Sequence, residues 1–423
     1  MRLGSGAMAV LATATLATQV AADEKIQRLD ENITAASQPA VSVAYTRKYG
    51  TTFNDSLTGV TTDSLGNVYI AGNSMDSEAK GFLRKYSPTG TLLWDKTKAV
   101  ESIDGVTLDD KGNTYIAGSY STGSSLSTRY FVYLEKHDPD GNPLWIRSFR
   151  AEPASDPTRM IVNGIATDPS GNDFVIILFE RAFWPYQTRQ VFIRKYNSSG
   201  TAIWEKPAGT SSPYTSRPVL ATDNQGRTYT AINSAFNQRW NTTISKFDTL
   251  GDLTWSTSLY ATASTFETYV HGITVDPVGD VYVGGITKAN LGGTNLGFYD
   301  AFVRKYDHTS AILWTKQFGT IANDYVNNLT TDTAGNLYVA GSTSGALIGP
   351  TNIGSFDAIV RKYGSNGNVL RSRQFGTTES DIANAVRLDA GGNLYVAGHT
   401  YGNLGGSMKG GQDVYFRKYT SFQ

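Results

Sequence analysis

The chain has 423 residues, of which 40% are hydrophobic, 12% are aromatic and 43 are glycines, enough apolar material for a large core. Lysine plus arginine equals aspartate plus glutamate at 37 each, so no global field recruits nucleic acid or an anionic membrane. There is no cysteine, which excludes disulfides, thiolate metal sites and a lipid-modified N-terminal cysteine, and fits bacterial export better than a disulfide-stapled scaffold.

At the N-terminus Arg2 precedes an uncharged stretch from Leu3 to Ala22, and Val20-Ala21-Ala22 before Asp23 resembles a small-residue cleavage site. Thr13, Thr15, Thr18 and Gln19 weigh against a membrane anchor, so residues 1–22 are expected to be a removable signal peptide. Residues 23–40, polar and mixed in charge, read as a linker, and residues 41–423 as one repeat domain.

The phrase Asp-x-x-Gly-Asn-x-Tyr-x-Ala-Gly recurs seven times, whole or worn: from Asp63, Asp109, Asp168, Asp223, Asp276, Asp332 and Asp389. The Asp-to-Asp spacings of 46, 59, 55, 53, 56 and 57 lie near a four-stranded propeller blade and above helical or leucine-rich repeats. Each copy is followed by an alternating strand ending in Arg-Lys-Tyr or a relative, as in Phe82 to Tyr86, then a turn such as Asp138-Pro139-Asp140-Gly141. A strand with a tryptophan comes next: Trp94, Trp145, Trp204, Trp255 or Trp314. Period-two alternation with Gly or Asp at every break makes these β-strands.

A blade is therefore four strands: A ends at the repeated Asp, B holds Asn-x-Tyr-x-Ala-Gly, C ends at Arg-Lys-Tyr and D contains the Trp. The last copy lacks D, and Tyr45 to Thr51 matches Trp314 to Thr320 almost position for position. The predicted fold is all-β, a seven-bladed β-propeller whose N-terminal strand completes blade seven and closes the ring, leaving no long open edge.

These motifs resemble the seven-bladed β-propeller repeat (SBBP) family of exported bacterial proteins, most closely over Asp276 to Thr320 and Asp332 to Thr377. The resemblance implies architecture and carries no common catalytic motif to transfer. Blades three and four depart most, with Val175 to Phe179 and Ala231-Ile232 where Ala-Gly is expected. The repeated Trp residues also resemble those of quinone-dependent dehydrogenase propellers, but those enzymes, by resemblance, need a calcium site and often a vicinal disulfide, and this chain has no cysteine. No cofactor and no metal site are expected.

Each repeated Asp has a strand-C partner in sequence: Lys85, Lys136, Lys195, Lys246, Lys305, Lys362 and Lys418. Strand directions bring the Lys to the face where the Asp sits, and a partly buried ammonium needs a counter-ion, so structural Asp–Lys pairs are expected rather than an acidic ring for a cation. The four histidines, His137, His271, His308 and His399, fall at unrelated repeat positions, of which His271 and His399 approach the opposite face. No nucleophile elbow, phosphate loop or metal-ligand spacing is present.

The B-to-C loops vary while the strands repeat, and carry aromatics: Phe183, Trp184 and Tyr186 in blade three, Phe236 and Trp240 in blade four, Phe298 and Tyr299 in blade five, Tyr401 in blade seven. Phe183, Trp184, Tyr186 and Trp240 are the expected ligand-binding residues, because aromatic rings stack on sugars or anchor a protein, although rings here could equally seal the inter-blade core. The expected function is an exported, monomeric, non-enzymatic propeller, secreted, periplasmic or on the cell surface, that presents a loop face to an extracellular protein or polysaccharide. Alternatives are a polysaccharide lyase or hydrolase and a structural envelope module.

Overall fold

The structure, a computed structural model, describes residues 42–75, 80–98, 102–122, 129–149, 160–168, 175–183, 188–212, 218–236, 239–259, 267–420 and 422. Among these residues every regular element is a strand, and the strands form seven four-stranded antiparallel sheets. The inner strands are β2 (Asp55–Thr62), β6 (Ser102–Leu108), β10 (Met160–Thr167), β14 (Val219–Thr222), β18 (Thr268–Val275), β22 (Asp324–Thr331) and β26 (Asp381–Leu388). Each packs against the next in chain order, and β26 packs against β2. The protein is thus a β-propeller of four-stranded blades.

The N-terminal strand β1 (Ser42–Tyr49) pairs with the last strand, β28 (Asp413–Thr420), from Ser42 opposite Thr420 to Tyr49 opposite Val414. This pairing accounts for the match of Tyr45–Thr51 to a D strand. The core lies between sheets: Leu57, Val60, Ile70 and Phe82 of the first blade pack on Ala385, Tyr395, Ala397 and Phe416 of the last, with Tyr45 and Tyr49 against them.

The repeat motif is explained by its turn. Asp63 Oδ1 accepts the backbone N–H groups of Leu65 and Asn67, and its Oδ2 accepts Asn67 Nδ2 and the buried Tyr69 hydroxyl at 3.2 Å. The same Tyr-to-Asp bond recurs at Tyr115, Tyr229, Tyr282, Tyr338 and Tyr395. Lysine Nζ atoms approach the same carboxylates in five blades, Lys85 to Asp63, Lys136 to Asp109, Lys305 to Asp276, Lys362 to Asp332 and Lys418 to Asp389, at 3.2 to 3.9 Å. In blade four Arg227, standing where Asn is usual, takes Asp223 at 2.5 Å.

The glycine of Ala-Gly has a packing reason. Inner strands bulge by one residue, as between Val270 and Gly272, and a Cβ on Gly285 would lie 1.8 Å from Tyr269 O. Blade four, with Ile232 in that place, has a short inner strand that pairs without a register shift.

The repeated tryptophans latch blades together. Trp94 Nε1 donates to Pro139 O in the next blade's C–D turn at 3.1 Å, and Trp145, Trp204, Trp255 and Trp314 donate likewise to Ser198, Thr249, His308 and Ser365. Gly141, at φ 80°, leaves room for the ring: its Cβ would come within 3.1 Å of Trp94 Cδ2. Trp94→Phe is therefore expected to cost only ~1 kcal/mol in urea unfolding, the size of one net hydrogen bond, because Lys85 Nζ still donates to Pro139 O at 2.9 Å.

Candidate functional site

The loops joining strands B to C and D to A lie on the face opposite the Asp turns. Of the four sequence-derived binding residues, Trp184 and Tyr186 lie outside the described residues. Phe183 ends strand β11 (Val175–Phe183), with its side chain outside them as well. Trp240 is not in a loop. It is the second residue of β16 (Arg239–Phe247), opposite Ala235 of β15 (Thr228–Phe236), because the two strands pair as far as Phe236 opposite Arg239.

Trp240 nonetheless belongs to an aromatic and charged cluster. Its half-buried indole lies 4.8 Å from the ring of Tyr269 on β18, tilted by 54°. Asn233 of β15 fixes that neighbour: its Nδ2 donates to Val270 O at 2.8 Å and its Oδ1 accepts Val270 N at 2.9 Å, so blade four holds both backbone groups beside Tyr269. Beyond Tyr269, the Tyr299 hydroxyl donates to Glu267 Oε2, and Lys288 Nζ sits 2.9 Å from the same oxygen and 4.6 Å from the Tyr299 ring centroid. Phe298, next to Tyr299, is 73% exposed.

Electrostatics favours the ordinary neutral-pH form of each group in this cluster. The Tyr299 hydrogen bond, with Lys288, holds Glu267 below the usual carboxylate range, against some desolvation. Glu267 and Tyr299 raise Lys288. Burial, then the Glu267 carboxylate, raises Tyr299, and burial with the Glu267 and Tyr299 charges raises Tyr269. A phenol held above its ordinary value stays protonated at neutral pH and can donate its hydrogen. The arrangement offers an aromatic surface edged by a carboxylate and an ammonium, which suits stacking and hydrogen bonding.

The inner strands supply a second polar array. Thr58, Asp104, Asn163, His271, Asn327 and Asn384 occupy matching bulge positions, half-buried. His271 Nδ1 lies 3.2 Å from Val326 O of the next blade, Asn327 Nδ2 donates to Ala383 O at 2.9 Å, and burial lowers the His271 pKa. Asp104 accepts the Ser102 and Ser119 hydroxyls at 2.9 and 3.0 Å within its own blade. The His271 and Asn327 contacts stitch neighbouring blades together. His399 is also lowered by burial and meets Tyr401 edge-on at 6.0 Å.

Tyr299 and Phe298 were legible as loop aromatics. Tyr269, Glu267 and Lys288 were not, since they flank strands at positions where the repeat varies and only folding brings them together.

Residues 44–75, 258–292 and 313–349 match the SBBP beta-propeller repeat family, so the chain carries repeats of that kind. Among curated proteins none matches the sequence. Its fold resembles that of the polysaccharide lyase Uly1, at TM-score 0.53 and 11% identity over 91% of this chain and 94% of that one. It also resembles BBS1N, solved in complex with ARL6DN, at TM-score 0.50 and 12% identity over 91% and 99%. A protein of unknown function from Bacteroides caccae aligns at TM-score 0.42 and 14% identity over 78% and 97%. Identities this low show a shared fold alone.

Proposed function

We propose that this is an exported, monomeric, non-enzymatic seven-bladed propeller, closed by its N-terminal strand, that binds an extracellular polysaccharide on the loop face of blades four and five. One observation carries the reading: the Trp240–Tyr269 ring pair at 4.8 Å adjoins the Glu267–Lys288–Tyr299 fork. Apolar ring faces take the C–H faces of sugars, while the fork's donors and acceptors take hydroxyls. The shifts of Glu267 down and Tyr299 up support binding over acid–base catalysis, because each group keeps one protonation state at neutral pH. Export rests on the sequence of residues 1–22, which lie outside the described residues.

The test is affinity electrophoresis of the mature chain in gels cast with neutral and uronic-acid polysaccharides. A retarding polymer should lose ~2 kcal/mol of binding on Trp240→Ala, the size of a central aromatic anchor, and less on Glu267→Gln. Retardation unchanged in both variants, with both folded, would exclude this surface. A protein partner is the second reading, favoured by apolar side chains exposed on the same face at Phe53, Phe298, Ile321 and Ile353. Pull-down on an immobilised cell-surface fraction separates it from the first.

A further inference from the structure

Two departures from the repeat meet at the centre of the ring. The seven inner strands surround the propeller's axis. Two residues before each repeated Asp they carry a small side chain, Thr61, Thr107, Ala166, Ala221, Thr274 and Thr330, except in blade seven, where the residue is Arg387. Four residues before the Asp, the inner strands with a bulge carry Gly59, Gly105, Gly164, Gly272 and Ala385, except in blade six, where the residue is Asn328. Arg387 Nη1 donates to Asn328 Oδ1 at 3.1 Å, across the junction of blades six and seven, and to Val386 O at 2.8 Å. Both acceptors belong to inner strands, β22 and β26, each the edge strand of its sheet, so the guanidinium stays at the edge that faces the axis.

The pair leaves donors over. Asn328 Oδ1 also accepts Val386 N at 3.3 Å, and these two bonds fix which way the amide points. Its Nδ2 then has no acceptor among the described residues, and neither do Arg387 Nε and Nη2. Thr330, two residues along β22, shares the face of Asn328, and its half-buried hydroxyl is likewise without a partner among the described residues. No ion pair reaches Arg387 among them, and burial lowers its pKa with no carboxylate to offset the effect. Asp104, the acid of the inner-strand bulge array, is on blade two and takes the Ser102 and Ser119 hydroxyls. An enclosed guanidinium without a counter-ion is costly, and its planar fork of N–H donors matches two oxygens of one anion. Packing does not demand the arginine, since threonine fills the same place in four other blades.

We propose that the centre of the ring binds a small oxyanion, a carboxylate or a sulfate, at the junction of blades six and seven, held by the Nε–Nη2 edge of Arg387 and by Asn328 Nδ2. The Nη1 bonds to Asn328 and Val386 hold the guanidinium in place before the anion arrives, which reduces the ordering cost of binding. The site is separate from the loop-face cluster around Trp240, because Arg387 stands two residues before Asp389, at the Asp-turn end of its strand.

The test is calorimetric titration of the intact mature chain at neutral pH and constant ionic strength, with sodium sulfate and sodium glucuronate as probes and sodium chloride as the reference. At least one oxyanion should bind saturably where chloride does not. Sulfate alone would assign the site to sulfate or its esters, and glucuronate alone to the carboxylate of an acidic sugar. Arg387→Thr, which restores the residue of four other blades and so should fold, is expected to weaken binding roughly tenfold or more, the loss of charge-assisted hydrogen bonds. Arg387→Lys, which keeps the charge without the fork, should recover only part of the affinity. Asn328→Ala, the residue of blade seven at that place, should weaken binding less than Arg387→Thr. No saturable binding of either probe overturns the proposal, and so does equal affinity in wild type and Arg387→Thr. A wild type that binds neither probe, with an Arg387→Thr variant that melts lower, would mean that Arg387 and Asn328 only tie two blades together.

Discussion

Deleting residues 41–50 is expected to lower the melting temperature by ~10 °C or more and to cause aggregation, because a long unpaired strand edge would be left open. Strand β1 pairs along its length with β28 and carries two aromatic anchors: Tyr45 lies edge-on to Phe416 at 5.9 Å, and Tyr49 lies 4.7 Å from Phe82 of the first blade. The Arg84 guanidinium caps Tyr49 at 3.5 Å. The deletion also removes Lys48 and so strands the buried Asp413 carboxylate, a change that alone typically costs ~3–5 kcal/mol. Light scattering during a thermal ramp reads both effects. A truncated chain that melts with the intact one would refute closure through β1.

Lys305→Met is expected to lose ~3–5 kcal/mol in urea unfolding, as breaking one side of a buried pair typically does. Lys305 Nζ lies 3.4 Å from Asp276 Oδ2 and 3.0 Å from Asp280 Oδ2, and its side chain is 7% exposed. Burial lowers the ammonium pKa, but hydrogen bonds to Tyr282 and Asp280 outweigh it and leave the value above the usual lysine range. A raised lysine contributes its stability in full below its unfolded pKa and loses it as pH climbs through the folded one, so the cost should be complete at neutral pH. Lys305 is on the Asp-turn face, so polysaccharide binding by the folded variant should be unchanged. A loss within experimental error would mark Lys305 as a solvated residue.

The blades were legible because one turn solves the same problem in each: Asp, Gly, Asn and Tyr act on one carboxylate, so their spacing survives as a sequence phrase. The match of Tyr45–Thr51 to Trp314–Thr320 foretold the pairing of β1 with β28 for the same reason. The Asp–Lys pairs of five blades were also foreseen, whereas Arg227 at Asp223 in blade four was not. The shared use of one turn carbonyl by Lys85 and Trp94 was not, because it joins residues 54 and 45 positions away from Pro139 in the next blade. Trp240 looked like a loop residue, since nothing in Phe236 to Trp240 signals that strand pairing extends to Phe236 opposite Arg239. Its partner Tyr269 resembled any inner-strand residue.

The central claim, that blades four and five bind a polysaccharide on their loop face, is tested most directly by amide hydrogen exchange with and without the polymer that retards the protein. The account predicts added protection in peptides covering 239–242, 267–271, 286–289 and 296–300, and none in the Asp turns at 63–67, 109–113 and 332–336. Protection centred on those turns, or spread away from Trp240 and Tyr269, would contradict it.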